Sequence, residues 1–549
     1  MTELTVKNIP LNDPRTWELF KTGKVLGVFQ LETPLGRQFC KRLKPESIEH
    51  VAALTAILRP GTMNAYDESG KSMTQKYIDR KNKIEDITYY HNALKPILEN
   101  TYGIAIYQEQ SMRICVDLAG FSLVEADRFR KAAGKKDTQE MSEVANLFRE
   151  KAREKGILND EEIEVIIEWL KASQRYNFNS SHSYGYGVES IQTAFLKAAY
   201  TVEFFCAWLT KSPKTDVKAL VTDARSFGIT IKSPSIANIH EGFSILDNNT
   251  IEFGFGSVQG CGVAQLEKIR ESVAKIEKTT SKQISELSWL EFLVYGFYIV
   301  GKMFDIQIDK SVKESDYKTL SKSVIENLIK CGALDCFKVP RNRMLHELRQ
   351  YKSLSPGEKK TLTDNIGKFK SLLDAIIWLR DGEKARLDKL RDKDPEKGSA
   401  VEKRYMTLHS LASLLEKPPV RVTDSADDIV IYERELLNVA ISASKLDKYY
   451  SDQADTTIKE YLDGKNKGVV CIKCEISRLS PHVCKTGDEM AFISIIDDTG
   501  ENDDCVMFTK EFADMKQKDL DYEGAQVLVW GERDWKKGSL IIKRVESLV

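Results

Sequence analysis

The chain has 549 residues and carries 81 Lys and Arg against 82 Asp and Glu, a formal net charge of −1. This balance excludes a strongly basic protein that coats nucleic acid and a strongly acidic disordered tail. Hydrophobic residues make up 42% and charged residues 30%, the composition of a globular protein, and the length corresponds to about three to five domains.

The sequence also argues against a membrane protein. Its most apolar run, residues 289–300, is shorter than the roughly 20 residues of a membrane-spanning helix and contains Glu291. The first residues show no basic stretch followed by an apolar core, which a signal peptide would have. Ten cysteines are ordinary for a chain with reduced thiols, so we expect a cytoplasmic protein with no membrane partner.

Residues 1–30 are a short entry segment that ends in a strand-like run at 25–31 (VLGVFQL), and residues from about 35 to 235 are predicted to be mainly helical. Ser122 and Glu125 have the spacing of a capping box ahead of a new helix. Residues 160–173 have apolar positions at helical spacing and acids in the first turn, which suits the helix dipole.

The rest of the chain changes from helices to short strands. Residues 243–255 predict a hairpin around an Asn-Asn turn. Helices return after residue 263, and the charged stretch 379–404 is typical of a solvated helix that runs into a linker. Five short alternating segments separated by turn residues predict a small β-barrel, at 469–476, 490–496, 505–508, 526–530 and 540–545.

A basic island, residues 128–136 (RFRKAAGKK), is the strongest local signal for binding. It has five basic residues and no acid in a chain that is otherwise balanced. We expect Gly134 to end a helix just before Lys135 and Lys136, and several cations at a helix end suit phosphate oxygens. The alternative is a solvated basic surface.

Three other segments carry polar groups that suit nucleic-acid chemistry. Residues 176–187 (YNFNSSHSYGYG) predict a polar-aromatic loop that could stack on a base and bind phosphate or sugar, or be purely structural. Arg59 lies in a turn, LRPGT, and Glu109 lies in YQEQ, although a lone Glu is usually a salt-bridge partner. Residues 256–262 (GSVQGCG) resemble a helix-hairpin-helix turn, whose glycines let backbone N–H groups approach DNA phosphate; a simple helix N-terminus is the alternative.

Two patterns resemble ligand sites but lack part of what those sites need. Residues 296–303 (GFYIVGKM) have the glycine and lysine spacing of a P-loop, but Met303 stands where Ser or Thr would hold Mg²⁺. Cys471 and Cys474 form a CxxC whose possible further ligands, Cys484 and Cys505, are irregularly spaced for zinc. We therefore predict no metal site in this chain.

Taken in order, the motifs resemble those of the C-family DNA polymerases, the bacterial polymerase III alpha subunits. The similar segments are GVFQLE at 27–32, ALTAILRPG at 53–61, LKPILENTYGIAIYQEQ at 94–110, ADRFRKAAGKK at 126–136, YNFNSSHSYGY at 176–186, TAFLKAAYTVEF at 193–204, FGFGSVQGCG at 253–262, LIKCGALDCF at 328–337 and YERELL at 432–437. With the terminal barrel, the resemblance covers essentially the whole chain.

The resemblance implies a multidomain, mainly α fold with fingers and helix-hairpin-helix regions and a C-terminal all-β OB-fold barrel. The implied regions are a palm-to-fingers connection at 1–34, fingers at 35–235, a helix-hairpin-helix duplex-binding region at 236–350, a helical, charged connecting region at 351–465 and the OB-fold at 466–549.

The resemblance also implies site residues. Those expected to bind the incoming nucleotide are Arg59, Arg130, Lys131, Lys135, Lys136, Asn179, Ser181 and His182. Those expected to bind DNA are Gln259, Gly260 and Gly262 on the duplex and Lys485, Phe492 and Trp535 on the single-stranded template. The chain departs from the family at Ser180 and Gln259, where a Lys is common, and at Thr62, where the family has Pro.

The family's palm, which carries three catalytic aspartates, is not recognised in this sequence. We therefore expect the C-terminal half of a split replicative DNA polymerase, with no catalytic residue of its own. A palm-bearing partner chain would hold Mg²⁺, and primer-template DNA and dNTP would be the other ligands. A sliding clamp stays open as a partner, because no clear clamp motif is present. The alternatives are a non-catalytic, DNA-binding or regulatory relative and a truncated fragment of one polypeptide.

Overall fold

The computed structural model describes residues 4–67, 70–135, 138–174, 176–298, 320, 322–390, 395–449, 451–466, 468–484, 487–534 and 538–548. It has two compact units, Met1–Phe204 and Phe205–Val549, and each is described by itself. Among the described residues, no helix is both long and apolar enough to cross a membrane. The finer five-region division stays a prediction.

The described part of the first unit is helical. Its helices are α1 Pro14–Thr22, α2 Pro34–Leu43, α3 Ile48–Ile57, α4 Pro60–Met63, α5 Met73–Lys81, α6 Lys95–Leu98, α7 Gln108–Ala119, α8 Leu123–Lys135, α9 Thr138–Lys155, α10 Asp160–Ser173, α11 Ser180–Ala199 and α12 Thr201–Lys211, within which the unit boundary falls.

Capping residues start two of these helices as the sequence predicts. The Glu125 backbone N–H donates to Ser122 Oγ at 3.3 Å, and the Ser122 N–H donates back to the Glu125 carboxylate at 2.7 Å, so the capping box of α8 is confirmed. Asn159 and Glu162 form the same reciprocal pair at the start of α10, at 2.9 Å each way. These bonds satisfy N–H groups that the first helical turn leaves without partners.

The core of the first unit lies in two places. Helices α7 to α10 enclose apolar side chains that include Phe121, Phe129 and Phe148, all at most 3% exposed. Helices α3 and α11 pack closely because Gly187 has no side chain. A Cβ there would lie 3.3 Å from the backbone nitrogen of Ala52, which is tighter than ordinary van der Waals contact.

The predicted strand at residues 25–31 is wrong. The segment forms consecutive turns, with the Val28 N–H donating to the Val25 carbonyl and the Leu31 N–H to the Val28 carbonyl, both at 3.0 Å. Val25, Val28 and Leu31 are fully buried at a spacing of three residues, which suits successive turns and does not suit the two-residue period of a strand.

The second unit begins with helices around a small sheet. Its helices are α13 Val217–Ser226, α14 Val263–Thr280, α15 Trp289–Tyr298, α16 Lys322–Lys330, α17 Arg341–Lys352, α18 Pro356–Asp364, α19 Leu372–Leu390, α20 Pro395–Glu416, α21 Ala426–Leu437, α22 Ile458–Leu462 and α23 Thr509–Gln517. The sheet strands are β1 Thr230–Lys232, β2 Ser244–Asp247 and β3 Thr250–Glu252, in the order β1-β3-β2. Strands β2 and β3 pair antiparallel, which confirms the hairpin at the Asn-Asn turn.

In the charged stretch 379–404, residues 379–390 lie in α19 and residues 395–404 lie in α20, so the predicted helix is confirmed and the predicted linker is wrong for these described residues. Pro395 begins α20, which packs against α19. His346 of α17 bonds the Leu414 carbonyl at 3.0 Å, and Arg404 pairs with Glu358. These contacts make α20 a packed part of the second unit.

A buried ion pair joins α17 to α21, and the exposed Asp335 also bonds its arginine. The Arg341 guanidinium, at the start of α17, donates to Glu433 of α21 at 2.9 Å and to Asp335 at 2.6 Å. Glu433 also accepts the backbone N–H groups of Ile441 and Ser442, at 2.5 and 2.8 Å. Since the Arg341 and Glu433 side chains are at most 2% exposed, each charge needs the other and these added hydrogen bonds.

The unit ends in the predicted barrel. Its strands are β4 Val469–Val483, β5 Glu489–Asp497, β6 Gly500–Met507, β7 Gln526–Arg533 and β8 Leu540–Ser547. They close in the order β4-β5-β6-β8-β7, with β7 pairing back to β4. Alternate residues point inward, and Ile458 and Tyr461 of α22 pack against the same core. The mainly α fold with a C-terminal β-barrel is confirmed.

Candidate nucleotide-binding site

In the first unit, two motifs that lie far apart in sequence meet at the start of α11. Glu109 accepts hydrogen bonds from the Asn179 side-chain amide and from the Ser180 backbone N–H, both at 3.0 Å. The Gln108 N–H donates to the Phe178 carbonyl at 2.9 Å. The YQEQ motif therefore holds the first turn of α11 in place, through Glu109 in particular.

The polar-aromatic segment 176–187 is mostly helix, so the prediction of a loop is wrong. Helix α11 begins at Ser180, and Asn179 caps it by accepting the His182 N–H at 2.8 Å. The small polar residues that suggested a loop are also the residues that start helices. Ser181 and His182 are exposed in the first turn, where the helix dipole favours a negative charge.

Arg59 joins this cluster through an aromatic contact. Its guanidinium carbon lies 3.3 Å from the centroid of the Phe178 ring. The His182 ring lies 5.4 Å from Phe178 and 3.9 Å from Tyr186. Burial lowers the pKa of Arg59, but arginine stays charged in proteins, so the stack ends in a fixed cation.

The basic island reaches the same place through Arg130. Its guanidinium donates to Gln108 Oε1 at 3.3 Å and to the Asp127 carboxylate at 2.9 and 2.7 Å. Lys131 forms an ion pair with Asp127 at 2.7 Å. Lys131 and Arg130 together hold the pKa of Asp127 below its usual range. The structure thus places Arg130 beside the motif that anchors Asn179.

The rest of the island behaves differently from the expectation. Arg128 turns to α9 and pairs with Glu140 and Glu143 at 2.9 and 2.8 Å. Gly134 lies within α8, which continues to Lys135, because a single glycine costs a helix only about 1 kcal/mol. The side chain of Lys135 and the whole of Lys136 lie outside the described residues, so their roles stay predictions.

In the second unit, the glycine-rich turn lies directly before α14. Gly260 has a φ of 77°, which glycine adopts without strain, and Gly262 occupies the N-cap position. Gln259 points to α21, since its side-chain amide donates to Asn438 Oδ1 at 3.1 Å. A one-turn 3-10 helix, Phe255–Ser257, precedes the turn where a full motif would have an α-helix.

The barrel exposes two aromatic rings, one on β5 and one directly after the neighbouring strand β6. Phe492 on β5 is 49% exposed and pairs with Val506 on β6. Phe508, two residues after Val506, is equally exposed, and sequence reasoning missed it. Lys485 and Trp535, the other residues predicted to contact the template, lie outside the described residues.

The described residues contain no group of three or more His, Cys, Asp or Glu side chains that could hold a metal ion. Burial raises the pKa of the Cys471 thiol to about 11 and that of Cys474 well above its usual value. In the P-loop-like run, Gly296 lies in α15, and residues 299–303 fall outside the described residues.

Sequence reasoning missed several members of the cluster in the first unit, namely Gln108, Phe178 and Tyr186. Each lies inside a motif that the sequence already singles out. The sequence therefore predicts the segment, but it does not predict which side chains of the segment converge. The direction in which each side chain leaves its helix decides which ones meet. Gln108 and Glu109 are adjacent, yet Gln108 contacts Arg130 and Glu109 contacts Asn179.

Comparison with known proteins gives two concordant findings. Residues 1–156 match the family described as bacterial DNA polymerase III alpha subunit finger domain. The chain is similar to the DNA polymerase III subunit alpha of Aquifex aeolicus, at 28% identity over 519 residues, which is 94% of this chain and 37% of that protein. The subunits of Escherichia coli and Vibrio cholerae are 34% and 35% identical over 63% and 60% of this chain. The chain spans only 26% to 37% of the length of these three relatives.

Proposed function

Because the chain is a relative of the C-family DNA polymerase III alpha subunits, we propose that it supplies the fingers, the duplex-holding part and the barrel of a DNA polymerase. In this proposal it acts with a palm-bearing partner chain to add dNTPs to a primer 3′ end on a DNA template. The observation that carries the proposal is the convergence of Arg130 and the first turn of α11 on the YQEQ motif, with Arg59 stacked on Phe178, whose carbonyl accepts the Gln108 N–H.

The proposed nucleotide site works by charge and position. Arg130 and Lys131 share one carboxylate, Asp127, and a triphosphate offers them more negative charge and more acceptor oxygens than that carboxylate does. Lys135 and Lys136 would add two more positive charges to bind the triphosphate. The exposed Ser181 and His182, with Asn179 behind them, would bind the remaining polar edges of the nucleotide. Charge placed in advance stabilises the charge that develops during phosphoryl transfer.

The other parts of the proposal concern the metal and the DNA. Mg²⁺ on the partner's palm carboxylates would activate the primer 3′-hydroxyl and neutralise the leaving pyrophosphate. Backbone amides of Gly260 and Gly262 would bind duplex phosphate, whereas the Gln259 N–H donates to the Leu436 carbonyl at 2.8 Å, and Phe492 would stack on the single-stranded template. Lys485 and Trp535, a sliding clamp as partner, and a cytoplasmic location stay predictions.

The test of the nucleotide site compares two arginines on one helix. Arg130→Gln should raise the apparent KM for dNTP by roughly tenfold or more, because it removes charged hydrogen bonds to phosphate. Arg128→Gln is the matched control, since it makes the same substitution two residues away where the side chain faces Glu140 and Glu143. An equal effect of both variants would reject the assignment of Arg130.

The need for a partner is tested by primer extension with and without a copurified palm-bearing chain. We expect extension only by the pair. Extension by this chain alone would overturn the need for a partner. A pair that binds primer-template but adds no nucleotide would favour the alternative, a non-catalytic, DNA-binding or regulatory relative.

A further inference from the structure

The turn segment 24–29 is fastened to α11 through its backbone. The Phe29 N–H donates to Thr193 Oγ1 at 3.1 Å, and the Phe29 carbonyl accepts from Ser190 Oγ at 2.8 Å. Lys197 Nζ donates to the carbonyls of Lys24 and Leu26, at 2.9 and 2.7 Å. With both backbone groups bonded to one helix, Phe29 has little freedom to move relative to α11.

The fastening residues form one stripe along α11. Tyr186, Ser190, Thr193 and Lys197 follow each other at intervals of four, three and four residues, so they share a helix face. The last three bind the backbone of the segment. The first, Tyr186, presents its ring to Phe29, with the ring centroids 5.1 Å apart and the planes at 87°.

This contact continues into the candidate site. The Tyr186 ring lies 3.9 Å from the ring of His182, which is exposed in the first turn of α11. Aromatic pairs have preferred geometries; the Phe29–Tyr186 pair is edge-to-face and the Tyr186–His182 pair is tilted at 54°. Because the backbone of Phe29 is held, its ring restricts the rotation of Tyr186, and Tyr186 in turn restricts His182.

We propose that Phe29 is a positioning residue, which sets the orientation of the Tyr186–His182 ring pair and through it the binding of the incoming nucleotide. Only the effect on nucleotide binding rests on the proposed function; the orientation of the ring pair does not. Phe29 touches neither Arg59 nor Arg130 among its described contacts and acts through Tyr186.

The first experiment reads the ring pair directly, without polymerase activity. The full chain is labelled at the Cε1 atoms of its seven histidines, and the His182 resonance is assigned from its loss in His182→Gln. Phe29→Leu should shift this resonance relative to the unmodified chain, because the ring stack reorients. Phe29→Tyr keeps an aromatic ring and should leave the resonance at its position in the unmodified chain. Phe195→Leu is the control, because Phe195 is also on α11 but contacts Tyr200, at a ring separation of 6.1 Å. A His182 resonance that stays in place in Phe29→Leu overturns the positioning role.

The second experiment measures dNTP addition by the chain with its palm-bearing partner. Phe29→Leu should raise the KM for dNTP by roughly two- to tenfold, the equivalent of one aromatic pair, and leave kcat nearly unchanged. Phe29→Tyr and Phe195→Leu should resemble the unmodified chain. A shifted resonance with an unchanged KM overturns the link to the nucleotide. If the unmodified pair adds no nucleotide, the proposed function fails, and the resonance still decides whether Phe29 orients His182.

Discussion

At the scale of single residues, partner choice decides the role of each charge. Arg128, Arg130 and Lys131 are nearly adjacent in sequence, yet Arg128 pairs with α9 while the other two share Asp127. The island that has no acid within it is thus balanced by acids on either side. A basic run in a neutral chain therefore marks a possible phosphate site, but only its partners show which cation is placed to reach one.

One residue of the first unit gives a prediction on pH. His50 Nδ1 accepts the Glu46 N–H at 3.2 Å, so its neutral form carries the proton on Nε2, which bonds the Tyr102 hydroxyl at 2.6 Å. Burial, with Lys81 nearby, lowers the pKa of His50 to about 4. In the unfolded chain the pKa of this histidine is near 6.5. Between pH 6.5 and 4 the histidine is therefore protonated in the unfolded state and neutral in the folded state.

Stability of the first unit should therefore fall as the pH drops through this window. The loss attributable to His50 is about 2 kcal/mol once solvent screening is allowed for. His50→Gln should show a smaller fall between pH 7 and 4.5, measured by amide hydrogen exchange of α3. His409→Gln, at an exposed position, serves as the control. Equal pH dependence in the unmodified chain and His50→Gln would contradict this account.

At the scale of elements, short turns and caps place the functional groups. The turn before α14 illustrates this, because Gly262 has an ordinary φ of −76° and an added Cβ would meet no atom of the described residues within 4 Å. Its lack of a side chain is therefore not needed for the fold, which makes it a clean probe of the proposed contact with phosphate.

Gly262→Ala should weaken binding of duplex DNA, because the Cβ obstructs a phosphate that approaches the backbone, and should lower the free energy of unfolding by at most about 1 kcal/mol, the cost of alanine at an N-cap. Gly357→Ala is the matched control, since its Cβ also meets no described atom within 4 Å. Filter binding at constant salt measures both variants. Equal affinity of Gly262→Ala and the control would reject this turn as a duplex contact.

The barrel is a second element whose independence can be tested. Its buried core lies entirely between Ile458 and Val545. Residues 451–549 should therefore fold as an isolated fragment, with a cooperative thermal transition by circular dichroism. A fragment of 469–549 lacks Ile458 and Tyr461, both at most 3% exposed, and should be less stable by roughly 3–6 kcal/mol. Equal stability of the two fragments would show that α22 is not part of the fold.

At the scale of the whole molecule, the two compact units carry different proposed tasks. The nucleotide cluster belongs to Met1–Phe204, and the glycine turn and barrel belong to Phe205–Val549. Each unit has its own buried core, and chains of this size seldom unfold in one step.

Calorimetry should resolve more than one unfolding transition. His50→Gln should move only the transition of the first unit. Arg341→Met, which leaves Glu433 without its buried guanidinium, should lower only that of the second, by an amount that corresponds to about 3–5 kcal/mol. One shared transition that both substitutions move equally would contradict this prediction.

The sequence by itself determined the helical class, the hairpin, the capping box at Ser122 and the five barrel strands, because local periodicity and turn chemistry produce these features. It also contained every motif of the candidate site. Only the tertiary structure decided that residues 25–31 form turns bonded to α11 and that Glu109 holds Asn179. Those outcomes depend on contacts between residues up to about 170 positions apart, such as Lys197 with Lys24, and local sequence patterns carry no information on such contacts.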